Sequence, residues 1–168
     1  MLDARRMHWF GKSMMEFRTV QQTLHTITLP REVRYLHALS RFFFALRWGS
    51  ENWQILYKIG ALADVKAVNA TYYATKAARL WLVALCCGAL TELCKLIRLH
   101  RGEPHLSRDQ RKQIRYQCYR TLLCHLGDMG IPLSRGLAVE IPEKRLAAMH
   151  LVSGLIQSSN LYPPKLGC

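Results

Sequence analysis

Apolar positions in the first part of the chain recur every three or four residues. Between residues 4 and 27 they fall at Met7, Phe10, Met14, Phe17, Val20, Leu24 and Ile27, which predicts a helix with one apolar stripe. Arg5, Arg6, Lys12 and Arg18 lie off or beside that stripe. Thr28-Leu29-Pro30 ends it, because the residue before a proline is biased away from the helical region. A second helix is predicted from Arg31 to about Arg47 through Val33, Leu36, Leu39, Phe43 and Leu46, with Glu32 well placed against the dipole in its first turn. Trp48-Gly49-Ser50 predicts a break, with Ser50 as N-cap of a third segment, Glu51 to Leu62, carrying Trp53, Leu56, Tyr57 and Ile59. Residues 63–76 are small, polar and alanine-rich and predict a connection, as loop or as irregular helix.

The most apolar run follows. From Leu80 to Thr91 there is no charge, and the helix that contains this run, residues 77–100, is stopped by Gly102 and Pro104. Twelve uncharged residues are fewer than the roughly 20 a spanning helix needs. Extending the run to Ile97 takes in Glu92 and Lys95, which stand three apart and so can pair. Arg79 closes one end, Arg98 and Arg101 the other, as snorkelling cations do at a membrane boundary. Two readings stay open on the pattern alone: the core helix of a soluble bundle, or a short membrane segment.

Ser107 with Gln110 three residues later is a capping box, opening a basic amphipathic helix over 107–126. Ile114, Cys118, Leu122 and Leu126 form its apolar row, with Arg108, Arg111, Lys112, Arg115 and Arg120 on the other faces. Gly127, Gly130 and Pro132 predict a loop of about 15 residues, long for a compact domain. Pro142 and Glu143 start a last helix, and residues 146–162 contain no Asp, Glu, Lys or Arg, at the lower length limit for a span. Strand alternation is missing throughout. The expected fold is all-α, one domain over residues 1–168: amphipathic helices over 4–62, the hydrophobic helix, the basic helix, and a second membrane-entering helix over 146–162.

Charge narrows the function. The chain carries a net +13 at 50% hydrophobic content, and its Lys and Arg divide evenly, twelve before Leu80 and twelve after. Basic residues interleaved with apolar ones suit an anionic surface, phospholipid or nucleic acid. The even division gives no orientation by the positive-inside rule. A mean hydropathy of −0.03 excludes a polytopic transporter. Met1 to Phe17 has no uncharged core of a signal peptide, so the six cysteines read as reduced thiols, with Cys86-Cys87 as packing residues. Cys118, Cys124, His125 and His100 or His105 do not fit zinc spacing. The eleven carboxylates are scattered, and no phosphate loop, GxSxG or HExxH occurs. No enzyme, metal or cofactor is expected. Tyr116 and Tyr119 beside the basic residues of 108–120 are compatible with nucleic acid, yet no known module is spelled out and residues 146–162 have no role in that reading.

Membrane contact is therefore assigned to Met7, Phe10, Met14 and Phe17 as a wedge, with Arg5, Arg6, Lys12 and Arg18 on anionic headgroups. It is assigned also to Arg79, Trp81 and Arg98 at the ends of the hydrophobic helix, and to Arg111, Lys112, Ile114, Arg115 and Leu122 on the basic one.

Four blocks in order resemble the peroxin-eleven family. Arg6-x-x-Trp9-Phe10-Gly11-Lys12 followed by Phe17-Arg18 is similar to its basic first helix. Ser40-Arg41-Phe42-Phe43-Phe44 through Trp53 to Gly60 resembles its middle block. Lys76 to Leu82 into Lys95-Leu96-Ile97-Arg98 resembles its hydrophobic helix, and Gly154 to Tyr162 its C-terminal span. The resemblance implies a peroxisomal membrane protein (or one of a related organelle such as the glycosome) that elongates and divides the organelle, forms homo-oligomers and recruits the fission machinery. Family members usually carry a further amphipathic segment before the first block. Here the chain begins at that block, which implies a truncated N-terminus or a member without one lipid-inserting helix. The terminal Lys-Leu-Gly-Cys is not a Ser-Lys-Leu matrix address.

Overall fold

The computed structural model describes residues 11–58, 68–102 and 107–161. They form six helices: α1 (Lys12–His25), α2 (Arg31–Lys58), α3 (Val68–His100), α4 (Arg108–Asp128), α5 (Gly130–Leu137) and α6 (Glu143–Leu161). The expected all-α class holds, and no strand occurs among the described residues. The first part of the expected first helix, residues 4–10, lies outside them.

Neighbouring helices run antiparallel. Ser13 of α1 meets Ala45 of α2, Ser40 of α2 meets Ala84 of α3, and Gly88 of α3 meets His125 of α4. α4 in turn carries α6, through Cys124 and Ser153. Among the described residues α1 touches only α2, so the helices lie side by side rather than round one common axis.

Three expectations need correction. No break occurs at Trp48-Gly49-Ser50; α2 is one helix of 28 residues, about 42 Å long. Ser50 is no N-cap there. Its Oγ donates to the Leu46 carbonyl one turn back, at 3.0 Å, which leaves the helical hydrogen bonding intact. Secondly, α3 starts at Val68, so residues 68–76 of the stretch expected to connect as loop or irregular helix are part of the regular helix, as alanine's propensity favours, and residues 63–67 lie outside the described residues. Thirdly, the predicted loop after Gly127 contains α5. Pro132 has no N–H, which ends α4 at Asp128, but it sits in α5's first turn, where a missing donor costs nothing. α5 closes on Ala138 in the left-handed conformation, φ 54°, with its N–H donated to the Leu133 carbonyl.

Two local signals fold as read. The Ser107 hydroxyl accepts the Gln110 N–H at 3.2 Å and the Gln110 side chain accepts the Ser107 N–H at 2.9 Å, the reciprocal pair of a capping box. α3 ends where Gly102 turns left-handed, φ 81°.

The interior is made of small residues. Ala38, Ala45, Ala77, Ala78, Ala84 and Ala89 are buried, as are Ser40, Ser50, Thr91 and Ser153. The larger side chains among them are few, Leu85, Val33, Trp48, Ile55 and Leu99. Small side chains let helix backbones approach. The Ser40 Oγ donates to the Ala84 carbonyl at 2.8 Å inside the α2–α3 contact, and the Ser13 Oγ to the Ala45 carbonyl at 2.9 Å. At the α4–α6 contact a Cβ on Gly127 would stand 2.9 Å from the Met149 carbonyl oxygen, so only glycine permits that approach.

Candidate membrane interface

What the helices hide determines what they show. α1 docks on α2 through Ser13, Glu16 and Thr23, the last its one buried residue. These are polar, and they recur at i, i+3 and i+10 spacing along one face. The apolar stripe of the sequence lies on the other side: Met14 is 72% exposed, and Met15, Phe17, Leu24 and Ile27 are exposed with it.

α2 repeats the arrangement. Val33, Ala38, Ala45 and Trp48 face inward, while Tyr35, Leu39, Phe42, Leu46 and Trp53 are all exposed. The spacings of four, three, four and seven put those five side chains in one outward row about 27 Å long. The Phe17 and Phe42 rings meet edge to face, centroids 6.0 Å apart, and so join the α1 row to the α2 row.

α3 carries the third row. Val83, Leu90, Leu93 and Ile97 are exposed, whereas Ala84, Leu85 and Thr91 are buried against the neighbouring helices. Lys76 and Arg79 stand exposed before this row, Arg98 and Arg101 after it. Arg79 and Arg101 are separated by about 33 Å along the axis, against about 30 Å of bilayer hydrocarbon. Among the described residues one helix is long and apolar enough to cross a membrane, Thr71–His100, with mean hydropathy 1.8 over an 18-residue stretch within it. The second expected membrane helix, residues 146–162, forms as α6 but is not of that kind, because Ser153, Gln157, Ser158 and Ser159 dilute it. α6 docks on α4 by polar contacts, Arg120 to the Ile156 carbonyl at 3.1 Å and to the Ser159 hydroxyl, and turns Leu151, Val152 and Leu155 outward.

The residues assigned to the membrane from sequence are distributed unevenly. Arg5, Arg6, Met7 and Phe10 lie outside the described residues. Met14, Phe17 and Arg18 are exposed on α1. Lys12 turns inward, its Nζ 4.3 Å from the Trp48 ring centroid. Arg79 donates to the Gly136 carbonyl at 2.9 Å, tethering α5 at its end of α3. Trp81 is half-buried, capped by the Arg47 guanidinium at 3.7 Å. Arg98 pairs with Glu32 at 3.5 Å. Lys112 and Arg115 are exposed, and Arg111, Ile114 and Leu122 are half-buried. Ile114 borders a cavity between α1–α2, α3 and α4 that is also lined by Leu29, Val33 and Leu99. The outward rows of α2 and α3 were missed as a site. Their i, i+4, i+7 spacing is legible, but spacing alone does not say whether a row faces in or out.

Several charged groups inside the molecule are paired. A cavity of about 430 Å3 between α2, α3, α4 and α6 is lined by His37, Arg41, Arg47, Glu92, His125 and Asp128, among others. Arg41 is bonded to Glu16 at 3.4 Å, Arg47 to Glu51 at 3.1 Å, and Lys95 to Glu92 at 2.7 Å. The last is the pair expected from the sequence. Burial holds the His125 imidazole below its ordinary range, with Arg41 and Lys95 acting the same way against Glu92 and Asp128. Burial, with Glu92 alongside, pushes the Cys118 thiol up to about 11, leaving no thiolate at neutral pH. Cys86, Cys87, Cys94, Cys118 and Cys124 are free thiols. Among the described residues no three His, Cys, Asp or Glu side chains gather as a metal site would need.

A family model described as Peroxisomal biogenesis factor 11 (PEX11) matches residues 1–162. No curated protein and no solved structure matches the chain.

Proposed function

The chain belongs to the Peroxisomal biogenesis factor 11 family, peroxisomal membrane proteins of peroxisome proliferation, and from that premise we propose that it elongates and remodels the peroxisomal membrane by seating its outward apolar rows in lipid. One observation carries the reading: apart from Val33, Trp48, Ile55, Leu85 and Leu99, the helix contacts are made mostly by small and polar residues, and most large apolar residues face out. A soluble bundle gains its stability by the opposite arrangement, removing large apolar side chains from water. In lipid that drive between helices is gone, and close packing of small residues with interhelical hydrogen bonds takes its place. The Ser40–Ala84 and Ser13–Ala45 bonds are of that kind.

In the mechanism, α3 crosses the bilayer between Lys76 and Arg79 at one end and Arg98 and Arg101 at the other, and the charge of Glu92 and Lys95 enters as a bonded pair. Met14, Phe17 and Leu24 of α1, which runs parallel to α3, turn their row to the same lipid, with Arg18 and the basic residues before it set against anionic headgroups. Apolar area placed unequally in the two leaflets acts as a wedge, expanding one of them and favouring curvature. Copies of the chain assemble in the membrane, concentrating the wedges and presenting a platform to the fission machinery.

Alkaline carbonate extraction of membranes containing the full chain tests the insertion. Retention in the pellet is expected, and complete release into the supernatant overturns the reading in favour of a soluble helical protein. Purified full chain added to liposomes with anionic lipid is expected to draw them into tubules. Binding without a change of shape removes remodelling and leaves anchoring.

A further inference from the structure

At the C-terminal end of α3 two i, i+4 pairs face one pair on α4. Leu96 and His100, Ile97 and Arg101 line a recess of about 360 Å3 with Arg115 and Tyr119. The floor is apolar and the rim cationic. With 24 Lys and Arg against 11 Asp and Glu, more than half of the cations have no carboxylate of their own, while Arg41, Arg47, Lys95 and Arg98 each have one. Among the described residues no carboxylate pairs with Arg101 or Arg115, and none lines this recess. Two guanidinium groups over an apolar floor repel one another in a setting that screens them less than bulk water does. An anion between them removes that repulsion.

The floor has a direction. Ile97 continues along α3 into Leu93 and Leu90, both exposed, which lead away from the cations toward the middle of the helix. From Arg101 to Leu90 is about 16 Å along the axis, about half of a hydrocarbon core of about 30 Å. Cations at one end and an apolar track one leaflet long describe the outline of an anionic lipid. Guanidinium forks match phosphate oxygens bidentately. Two forks with an imidazole and a phenol beside them favour a phosphate with its oxygens free over a phosphodiester with one net charge.

We propose that Arg101, Arg115 and His100 form a site for the phosphate-monoester headgroup of a phospholipid whose acyl chain lies along Ile97, Leu93 and Leu90. The site rests on the membrane placement of α3 proposed above. It makes one lipid a specific ligand rather than a member of an averaged charged surface.

The test uses the full chain in phosphatidylcholine nanodiscs containing a few mole per cent of phosphatidic acid or phosphatidylserine, with retained lipid read by native mass spectrometry. Wild type is expected to retain phosphatidic acid several-fold over phosphatidylserine. Arg101→Gln with Arg115→Gln is expected to lower phosphatidic acid retention about tenfold, a difference near 1.4 kcal/mol. Arg101→Lys with Arg115→Lys keeps the charge but loses the forks, and is expected to fall most of that way. Arg108→Gln with Lys144→Gln removes two exposed cations elsewhere and is expected to leave retention within twofold. Equal losses in the two glutamine variants, or full retention by the lysine variant, overturn the site in favour of diffuse charge. Displacement by soluble glycerol phosphate at the affinity of the lipid assigns the recess to free phosphate and overturns the lipid. Displacement by a poly-glutamate peptide at that affinity overturns it as an acidic-protein surface. Carbonate resistance of all variants, read in parallel, separates loss of this site from loss of membrane insertion itself.

Discussion

The His125 imidazole occupies the space where a side chain on residue 88 would begin. A Cβ built on Gly88 stands 2.7 Å from Nε2 and 2.9 Å from Cε1 of that ring. α3 and α4 meet at this point, with Glu92 one turn further along α3 and Cys124 beside His125 on α4, all lining one cavity.

Gly88→Ala must therefore displace the ring. Overpacking costs about 1–3 kcal/mol, offset by about 1 kcal/mol of helix propensity gained over glycine. A net loss near 1 kcal/mol is expected in reversible unfolding in detergent, and His125→Ala on the same background should restore most of it. Gly154→Ala, where the added methyl meets nothing within 4 Å, is the matched change and should not destabilise.

Acid weakens the α3–α4 contact. The folded pKa of His125 lies below the value near 6.5 of the unfolded chain, chiefly through burial. Its neutral form thus contributes stability in full above about pH 6.5, and that contribution is lost as pH falls through the folded pKa. Glu92 and Asp128 oppose the shift, while Arg41 and Lys95 strengthen it. Unfolding midpoints between pH 7.5 and 5 should fall in the native chain, and His125→Phe should flatten that slope.

The Glu92–Lys95 pair, bonded at 2.7 Å with the Glu92 side chain 10% exposed, is costly to halve. Lys95→Met leaves a buried carboxylate unpaired and should destabilise by about 3 kcal/mol. Combining it with Glu92→Leu removes both charges and should cost less than the single change. A double-mutant cycle reads the difference directly.

Ser40→Ala removes the hydroxyl bonded to the Ala84 carbonyl and should lower stability by about 1 kcal/mol. Ser50→Ala removes a bond to the Leu46 carbonyl within the same helix and should change stability by a few tenths of that. The contrast separates interhelical from intrahelical bonding.

The wedge is separable from the fold. Met14→Asp with Leu24→Asp alters side chains that point away from α2, so unfolding should move by less than about 0.5 kcal/mol. Liposome tubulation by the full chain should nonetheless be lost. An unchanged tubulation yield would move the remodelling surface away from α1.

Local chemistry was sufficient wherever a few neighbouring residues decide the outcome. Apolar period, the Ser107–Gln110 box, the left-handed stop at Gly102 and the Glu92–Lys95 spacing each act within one or two turns, and each is readable from residue type alone. The all-α class follows from them, whereas of the two membrane-entering helices expected only Thr71–His100, among the described residues, is long and apolar enough to cross. Local chemistry misled at Ser50 and Pro132, because the same residue types serve at a helix start and inside or across it. Ser50 bonds back to Leu46, and Pro132 sits where no donor is needed. Which side of each helix faces its neighbours was settled only in three dimensions. Ser13, Ala45, Ser40, Ala84 and Gly88 are unremarkable as sequence, yet they set how closely the backbones approach. Met14, Phe42, Leu90 and Ile97 look like core by composition and stand outside it. A periodic row specifies a face; the solvent that face meets is fixed by which opposite face finds a partner.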